Sequence, residues 1–371
     1  MAIINFFGDF KCDDVSRLKL DNTLSKILSK GDINVLNFEA PISVVGSIPI
    51  EKSGPNITND ENAPDFLLKA GFNLFSLANN HIYDYGKEGL NHTREMFPDG
   101  KVIGAGSWHE AYRPVIITIS SLRIGFIALT HHEFGVLYEQ QYHEQEVGAA
   151  WMLHPCIDEV IIDTKQKCDY LFILPHCGME HEYYPMPEVR TLYKHWITMG
   201  ADGVFASHPH TVRPWEFYEG KPIVYSLGNF CFDSLATTVP DYWYWSLVAS
   251  FIIDHNGMRM EVSYCKYNEE TGLIKIVDDE FFAKHISDIT KVFNKEEDYL
   301  AAINAQCVKY EKMYDVFFAR SGYYKLSMKV VIKQLMRYII GRYKPRLAPL
   351  KNNFKCETHR WTISRILDLK R

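Results

Sequence analysis

Ile3-Ile4-Asn5-Phe6-Phe7-Gly8-Asp9 is a short apolar run that ends in a glycine and a carboxylate. Runs of this kind read as fully buried strands, and in open α/β sheets ligands gather at the carboxyl ends of such strands. The same ending recurs along the chain. Asn34-Val35-Leu36-Asn37-Phe38-Glu39 closes on Asn37 and Glu39, and Leu74-Phe75-Ser76-Leu77-Ala78 leads into Asn79, Asn80 and His81. Tyr170-Leu171-Phe172-Ile173-Leu174-Pro175 leads into His176, and Gly203-Val204-Phe205-Ala206-Ser207 into His208 and His210. Five strands are thus expected to deliver oxygen and imidazole donors to one rim, a pattern that suggests a metal centre, with two ions as the expectation.

The rest of the chain fits an α/β frame. Helices are expected over Val15 to Ser29, Ala63 to Ala70, Lys87 to Met96, His154 to Lys165 and Pro187 to Met199. Val115 to Ile119 and Arg123 to Leu129, joined by a tight turn, read as a hairpin, as do Tyr244 to Asp254 and Met258 to Tyr267 around Asn256-Gly257. Parallel and antiparallel strands together imply a mixed sheet or two stacked sheets. From Val277 the pattern changes to helical periodicity, around Lys295 to Ala319 and Lys325 to Arg342.

With 371 residues, 47% of them hydrophobic and 23% charged, the chain can bury a large core and is neither disordered nor fibrous. A net charge of -6 argues for no nucleic acid or other polyanionic partner. The eight cysteines form no CxxC pair and are expected to be reduced. Without a leader pattern or a spanning apolar stretch, the expected location is cytoplasmic. Glu357 and Asp368 are the only acids from Gly322 to Arg371, so the end of the chain is basic.

Gly8 lets the backbone turn sharply at Asp9, and in Asn79-Asn80-His81 an amide oxygen can ligate while the neighbouring imidazole can protonate a leaving oxygen. Asp84 reads as a cap for the next helix. His208-Pro209-His210 sets two imidazoles one residue apart, close enough for a dinuclear site. His131-His132, His143, His154, His181 and His195 read as solvated or structural, with His181 the best placed of them for substrate. Asn229, in Tyr225-Ser226-Leu227-Gly228-Asn229-Phe230, either contacts substrate or sits in a loop that only packs aromatics beneath the site.

Gly8-Asp9, Asn37-Phe38-Glu39-Ala40-Pro41, Leu77-Ala78-Asn79-Asn80-His81, His176-Cys177-Gly178-Met179-Glu180, His208-Pro209-His210 and Tyr225 to Phe230 occur in that order. Together they resemble the bacterial capsule-synthesis CapA/PgsA family, associated with poly-gamma-glutamate and capsule production and similar to calcineurin-like metallophosphoesterases. The resemblance implies a four-layer αββα sandwich over residues 1–275, with residues 276–371 a helical, basic extension that it does not cover. It also implies Asp9 and His210 on a first metal, Glu39 bridging, Asn80, His176 and His208 on a second, and His81 as general acid or phosphate contact. Asn37, Asn79, Glu180 and Asn229 would contact substrate. Lys11 stands where many phosphoesterases have a histidine, and Cys177 where the family usually has Trp.

The expected activity is metal-dependent hydrolysis of a phosphoester, or of a gamma-glutamyl amide, with two divalent ions activating a water; the mixed donors suit Mn, Fe or Zn. The rival is a non-catalytic assembly factor for a surface polymer, which the missing histidine favours. Lys325, Lys329, Lys333 and Arg337 recur at helical spacing beside Leu326, Val330, Ile332, Leu335, Met336, Ile339 and Ile340. That helix either lies on the inner face of an anionic membrane or packs on the main domain with a solvated basic edge.

Overall fold

The structure, a computed structural model, describes residues 1–42, 44–137, 146–233, 239–254, 257–314, 328–340 and 347–369. The chain begins β1 (Ala2–Lys11), β2 (Lys19–Leu20), α1 (Asn22–Lys30), β3 (Ile33–Phe38), α2 (Ala63–Ala70), β4 (Leu74–Ser76), α3 (Gly86–Glu95), β5 (Val102–Ile103), β6 (Ala105–Ser107) and α4 (Trp108–Ala111). It continues β7 (Val115–Ile119), β8 (Leu122–Thr130), β9 (Val136–Leu137), β10 (Val147–Ala150), α5 (Ile157–Lys165), β11 (Tyr170–His176), α6 (Pro187–Thr198), β12 (Gly203–Phe205), β13 (Trp215–Tyr218) and β14 (Lys221–Val224). Then come β15 (Asn229–Phe232), β16 (Trp245–Asp254), β17 (Gly257–Asn268), β18 (Leu273–Val277), α7 (Glu280–Thr290) and α8 (Glu296–Lys309), with helices Met328–Ile339, Leu347–Lys355 and Glu357–Asp368 beyond.

Successive side chains of a strand point to opposite faces, so a strand that is apolar throughout must be covered on both sides. Ile4 and Phe6 of β1 face Phe172 and Leu174 of β11 and Phe205 of β12 in a core between two sheets, with Phe6 stacked on Phe205 at 3.7 Å between ring centroids. Phe7 and Leu36 point the other way, against Leu24 and Leu28 of α1 and Leu67 of α2. Leu171 and Ile173 likewise face outward, against Ile161 of α5, Tyr193 and Trp196 of α6, and Ile303 of α8. Helices, sheet, sheet and helices make a four-layer αββα sandwich, as expected. Truncating a ring such as Phe6 to Ala would cost about 3–5 kcal/mol.

One sheet has the order β2-β18-β17-β16-β1-β3-β4-β5 with β15 beside β1, and the other β13-β14-β12-β11-β8-β7. Within the first, β1, β3, β4 and β5 run parallel; within the second, β8, β11, β12 and β14 do. Parallel pairing aligns the carboxyl ends, which is why the strand-end donors of each sheet emerge together. Gly8 permits a close approach there: a Cβ on it would stand 1.8 Å from the carbonyl oxygen of Gly228, and the Asp9 N–H donates to that oxygen at 2.9 Å.

Some local expectations shift. Between Val15 and Ser29 the chain forms a 3-10 turn at Val15–Arg17, then β2, and enters α1 only at Asn22, because the Asp21 carboxylate caps the Leu24 N–H at 2.8 Å. The Lys295 to Ala319 periodicity yields α8, and Lys325, Leu326 and His143 lie outside the described residues. α7 adds to the expected elements; its Phe282 stacks on Trp245 at 4.0 Å. No helix among the described residues is long and apolar enough to cross a membrane.

Candidate metal centre

Asp9 at the end of β1, Glu39 after β3, Asn80 after β4, His176 at the end of β11, and His208 and His210 after β12 meet in one buried cluster. Nε2 of His176 and Nε2 of His210 lie 3.7 and 3.8 Å from Glu39 Oε1. Asp9 lies 3.9 Å from Nδ1 of His176 through one oxygen and 3.7 Å from Nδ1 of His210 through the other. His176 Nε2 is 3.0 Å from Asn80 Oδ1 and 3.1 Å from His208 Nδ1. His208 and His210 hold backbone φ angles of 99° and 55°, a left-handed region that costs a non-glycine residue about 1–3 kcal/mol. Backbone strain of this kind clusters at functional sites.

The electrostatics suit a cation. Glu39 is 0% exposed and neither of its oxygens has a hydrogen-bond partner, an arrangement that is costly for a carboxylate unless a positive charge stands beside it. Burial and then the nearby Asp9 push the Glu39 carboxyl well above the usual range. Burial pushes Asp9 up to about 7, against hydrogen bonds from the His208 N–H and Asn37. Burial also drives His210 down to about 3, and with the charge of neighbouring imidazoles it holds His176 and His208 well below their ordinary value. Two raised carboxyls facing neutral imidazoles are the state of a ligand set, so the residues present fit a divalent metal.

Three of the four expected substrate contacts have amides engaged around the cluster, and the fourth, Glu180, lies at its rim. Asn37 donates through Nδ2 to Asp9 Oδ1 at 2.7 Å and lies 3.2 Å from His176 Nδ1, so it orients two donors. Asn79 is consumed by its own loop: its amide donates to the Phe38 carbonyl and accepts from the N–H groups of His81 and Ile82. Asn229 Oδ1 takes His210 Nδ1 at 2.9 Å, and its Nδ2 donates to the Trp243 carbonyl. That fixes the His210 ring with Nε2 toward Glu39, a support that ligating histidines usually have. Glu180 stands at the rim with its side chain 50% exposed, 3.9 Å from His181.

Asp84 does not cap the helix that follows. It is fully buried, accepts from the Ile57 N–H at 2.8 Å, pairs with Lys52, and holds His81 Nδ1 at 2.7 Å. The helix it was expected to cap begins after Tyr85. Lys52, which also lies 2.9 Å from His81 Nδ1, carries no local signal in the sequence. His81 is left with Nε2 as its free ring nitrogen.

His131, expected to be solvated or structural, is 1% exposed and its ring lies 4.5 Å from that of His208. The reason is topological. β8 pairs with β7 as a hairpin and also with β11 in parallel, Thr130 opposite His176, so it too ends at the rim. The strand-end rule finds His131 once β8 is taken as a parallel strand. Glu133 follows, accepting from Asn80 Nδ2 at 2.7 Å. Lys11, where a histidine was missing, is buried and paired with exposed Asp13 at 2.7 Å.

The fold and donors define a class: an αββα sandwich with a metal-type ligand set across the carboxyl ends of both sheets. The chain belongs to the family described as "Bacterial capsule synthesis protein PGA_cap", whose model matches residues 17–234. The matched stretch carries Glu39, Asn80, His81, His176, His208 and His210, and leaves Asp9 and everything after residue 234 outside. The chain is 27% identical over 241 residues to "Capsule biosynthesis protein CapA" of Bacillus anthracis, covering 63% of this chain and 57% of that one. It is 27% identical over 245 residues to "PGA biosynthesis protein CapA" of Bacillus subtilis, covering 63% and 61%. The chain thus spans about three-fifths of the length of these curated relatives. Among solved structures, a hypothetical protein from Thermus thermophilus superposes with a TM-score of 0.44 at 13% identity, over 71% of this chain and 99% of that one. A 5'-nucleotidase from Candida albicans gives 0.43 at 12% identity, over 81% and 56%.

Proposed function

We propose that the chain is a metal-dependent hydrolase of a phosphoester or a gamma-glutamyl amide, acting in capsule or surface-polymer synthesis. The observation that carries this reading is Glu39, a fully buried carboxylate with both oxygens unpartnered among three imidazoles. Asp9, Glu39 and His210 would hold one ion and Glu39, Asn80, His176 and His208 the other, a donor set suited to Mn, Fe or Zn. Ions held there would supply Lewis-acid chemistry, lowering the pKa of a water and offsetting charge on a departing oxygen. His81 would give its proton from Nε2 to that oxygen, while Asp84 holds the ring through Nδ1 and Lys52 balances the Asp84 charge. The capsule and PGA biosynthesis names of the relatives support the polymer role.

The test is metal analysis of protein purified without chelator, followed by assay against phosphoesters and gamma-glutamyl amides. At least two ions per chain and metal-dependent release of one product class are expected. A loaded protein inert toward both classes would sink the enzyme reading. It would favour a non-catalytic assembly factor, which Lys11 in place of the first-motif histidine supports. A peripheral membrane role on the cytoplasmic side is also proposed for the helix Met328–Ile339, whose Met328, Ile332, Leu335 and Met336 are exposed alongside Lys329 and Lys333. Arg337 belongs to that helix, but its side chain lies outside the described part.

A further inference from the structure

The last turn of chain before the helix Glu357–Asp368 returns to the rim of the candidate centre. Glu357, fully buried in that helix's first turn, accepts from the His132 N–H and from Trp151 Nε1, each at 2.7 Å. This docks Cys356 and His359 beside Glu133. One donor atom from each of Glu133, Cys356 and His359 lies within 4.8 Å of the others. Cys356 and His359 are three apart where the helix begins, so both face the same side. Neither residue falls in the stretch matched by the family.

We propose that Glu133, Cys356 and His359 bind one divalent transition metal of the zinc type, distinct from the pair assigned to Glu39, and that this ion clasps the C-terminal segment to the rim. Thiolate, imidazole and carboxylate together form a zinc-type donor set. Nδ1 of His359 is engaged by the Tyr314 hydroxyl at 2.7 Å, which leaves Nε2 for the ion and supplies the outer hydrogen bond that orients a ligating ring. Asn352 Nδ2 donates to Glu133 Oε1 at 3.1 Å and lies 3.3 Å from His359 Nε2, so an amide N–H stands where a cation would sit. Its own Oδ1 is buried with no hydrogen-bond partner, as is Nε2 of His131, which stands 3.6 Å from Glu133 Oε2; the His131 Nδ1 lies 3.9 Å from Cys356 Sγ. An ion between these groups would let the Asn352 amide turn its oxygen inward or let His131 become a fourth ligand. Binding replaces the Cys356 thiol proton, which passes to solvent. Loading would also fix Glu133, and through it the Asn80 amide.

The experiment reconstitutes metal-stripped full-length protein with Co(II) and reads the near-ultraviolet thiolate-to-cobalt charge-transfer band alongside metal content. The intact chain should show the band. Cys356→Ser should abolish it and lose one ion per chain, and Glu39→Gln should keep it. A second measurement needs no variant: Zn(II) should protect Cys356 from alkylation, read by peptide mass spectrometry. No band at saturating Co(II), a band that survives Cys356→Ser, or alkylation of Cys356 unchanged by Zn(II) would each overturn the proposal. Because Glu39→Gln leaves this site intact, failure here is separable from failure of the proposed hydrolase.

Discussion

Glu39→Gln removes the carboxylate proposed to bridge the two ions without changing its shape. In metal-stripped protein the Asp9 carboxyl is raised from 3.8 to about 7, so the fold favours its protonated form. That contribution is present below the unfolded value and is lost as the pH rises through about 7. About three tenfold steps at 1.36 kcal/mol each put the loss on the order of 4 kcal/mol. Glu39 is raised in the same direction. At pH 8 the stripped wild type therefore sets two buried carboxyls against each other, and the substitution removes one of them. An ion at a hundredfold excess over its dissociation constant returns about 2.7 kcal/mol. With an unfolding entropy of about 2.1 cal/mol/K per residue, that is about 3 °C in Tm per ion for a chain of 371 residues. The assay is thermal denaturation of stripped protein at pH 8 against Mn(II), with metal analysis. Wild type should gain that shift, whereas Glu39→Gln should gain less than about 1 °C yet start at least as stable when stripped. An equal metal-induced gain in both proteins would refute the reasoning, as would a stripped variant several degrees less stable.

His81→Ala should lower turnover by about 10²–10⁴ while keeping both ions, since His81 is assigned as proton donor and not as ligand; metal loss matching that of His208→Ala would show the roles misassigned. Asn229→Ala frees the His210 ring and should weaken metal binding about 10–100-fold in a Mn(II) titration, whereas unchanged affinity would mean that Asn229 does not orient the ligand. For the helix Met328–Ile339, co-sedimentation should show salt-sensitive binding to anionic and not neutral liposomes, each basic residue near the surface contributing about 1 kcal/mol. Binding that persists after Lys329 and Lys333 are changed to Glu would remove the membrane reading.

The sequence by itself carried the architecture and most of the candidate metal donors. A strand buried on both faces leaves a continuous apolar run, and a donor at its carboxyl end is adjacent in sequence, so Asp9, Glu39, Asn80, His176, His208 and His210 are legible as strand-end residues. Local rules also place α2 and both hairpins. Which groups support those donors was decided only by the tertiary structure. Asp84 has the spacing of a helix cap, and only the fold closes Lys52 and His81 on it. Asn37 and Asn229 have the look of substrate contacts, and only the fold turns their amides onto Asp9, His176 and His210. His131 stays hidden because β8 serves a hairpin on one edge and a parallel strand on the other. Glu133 meets Cys356 and His359 only because the chain returns across more than half its length, and no spacing rule can register a contact between residues that far apart.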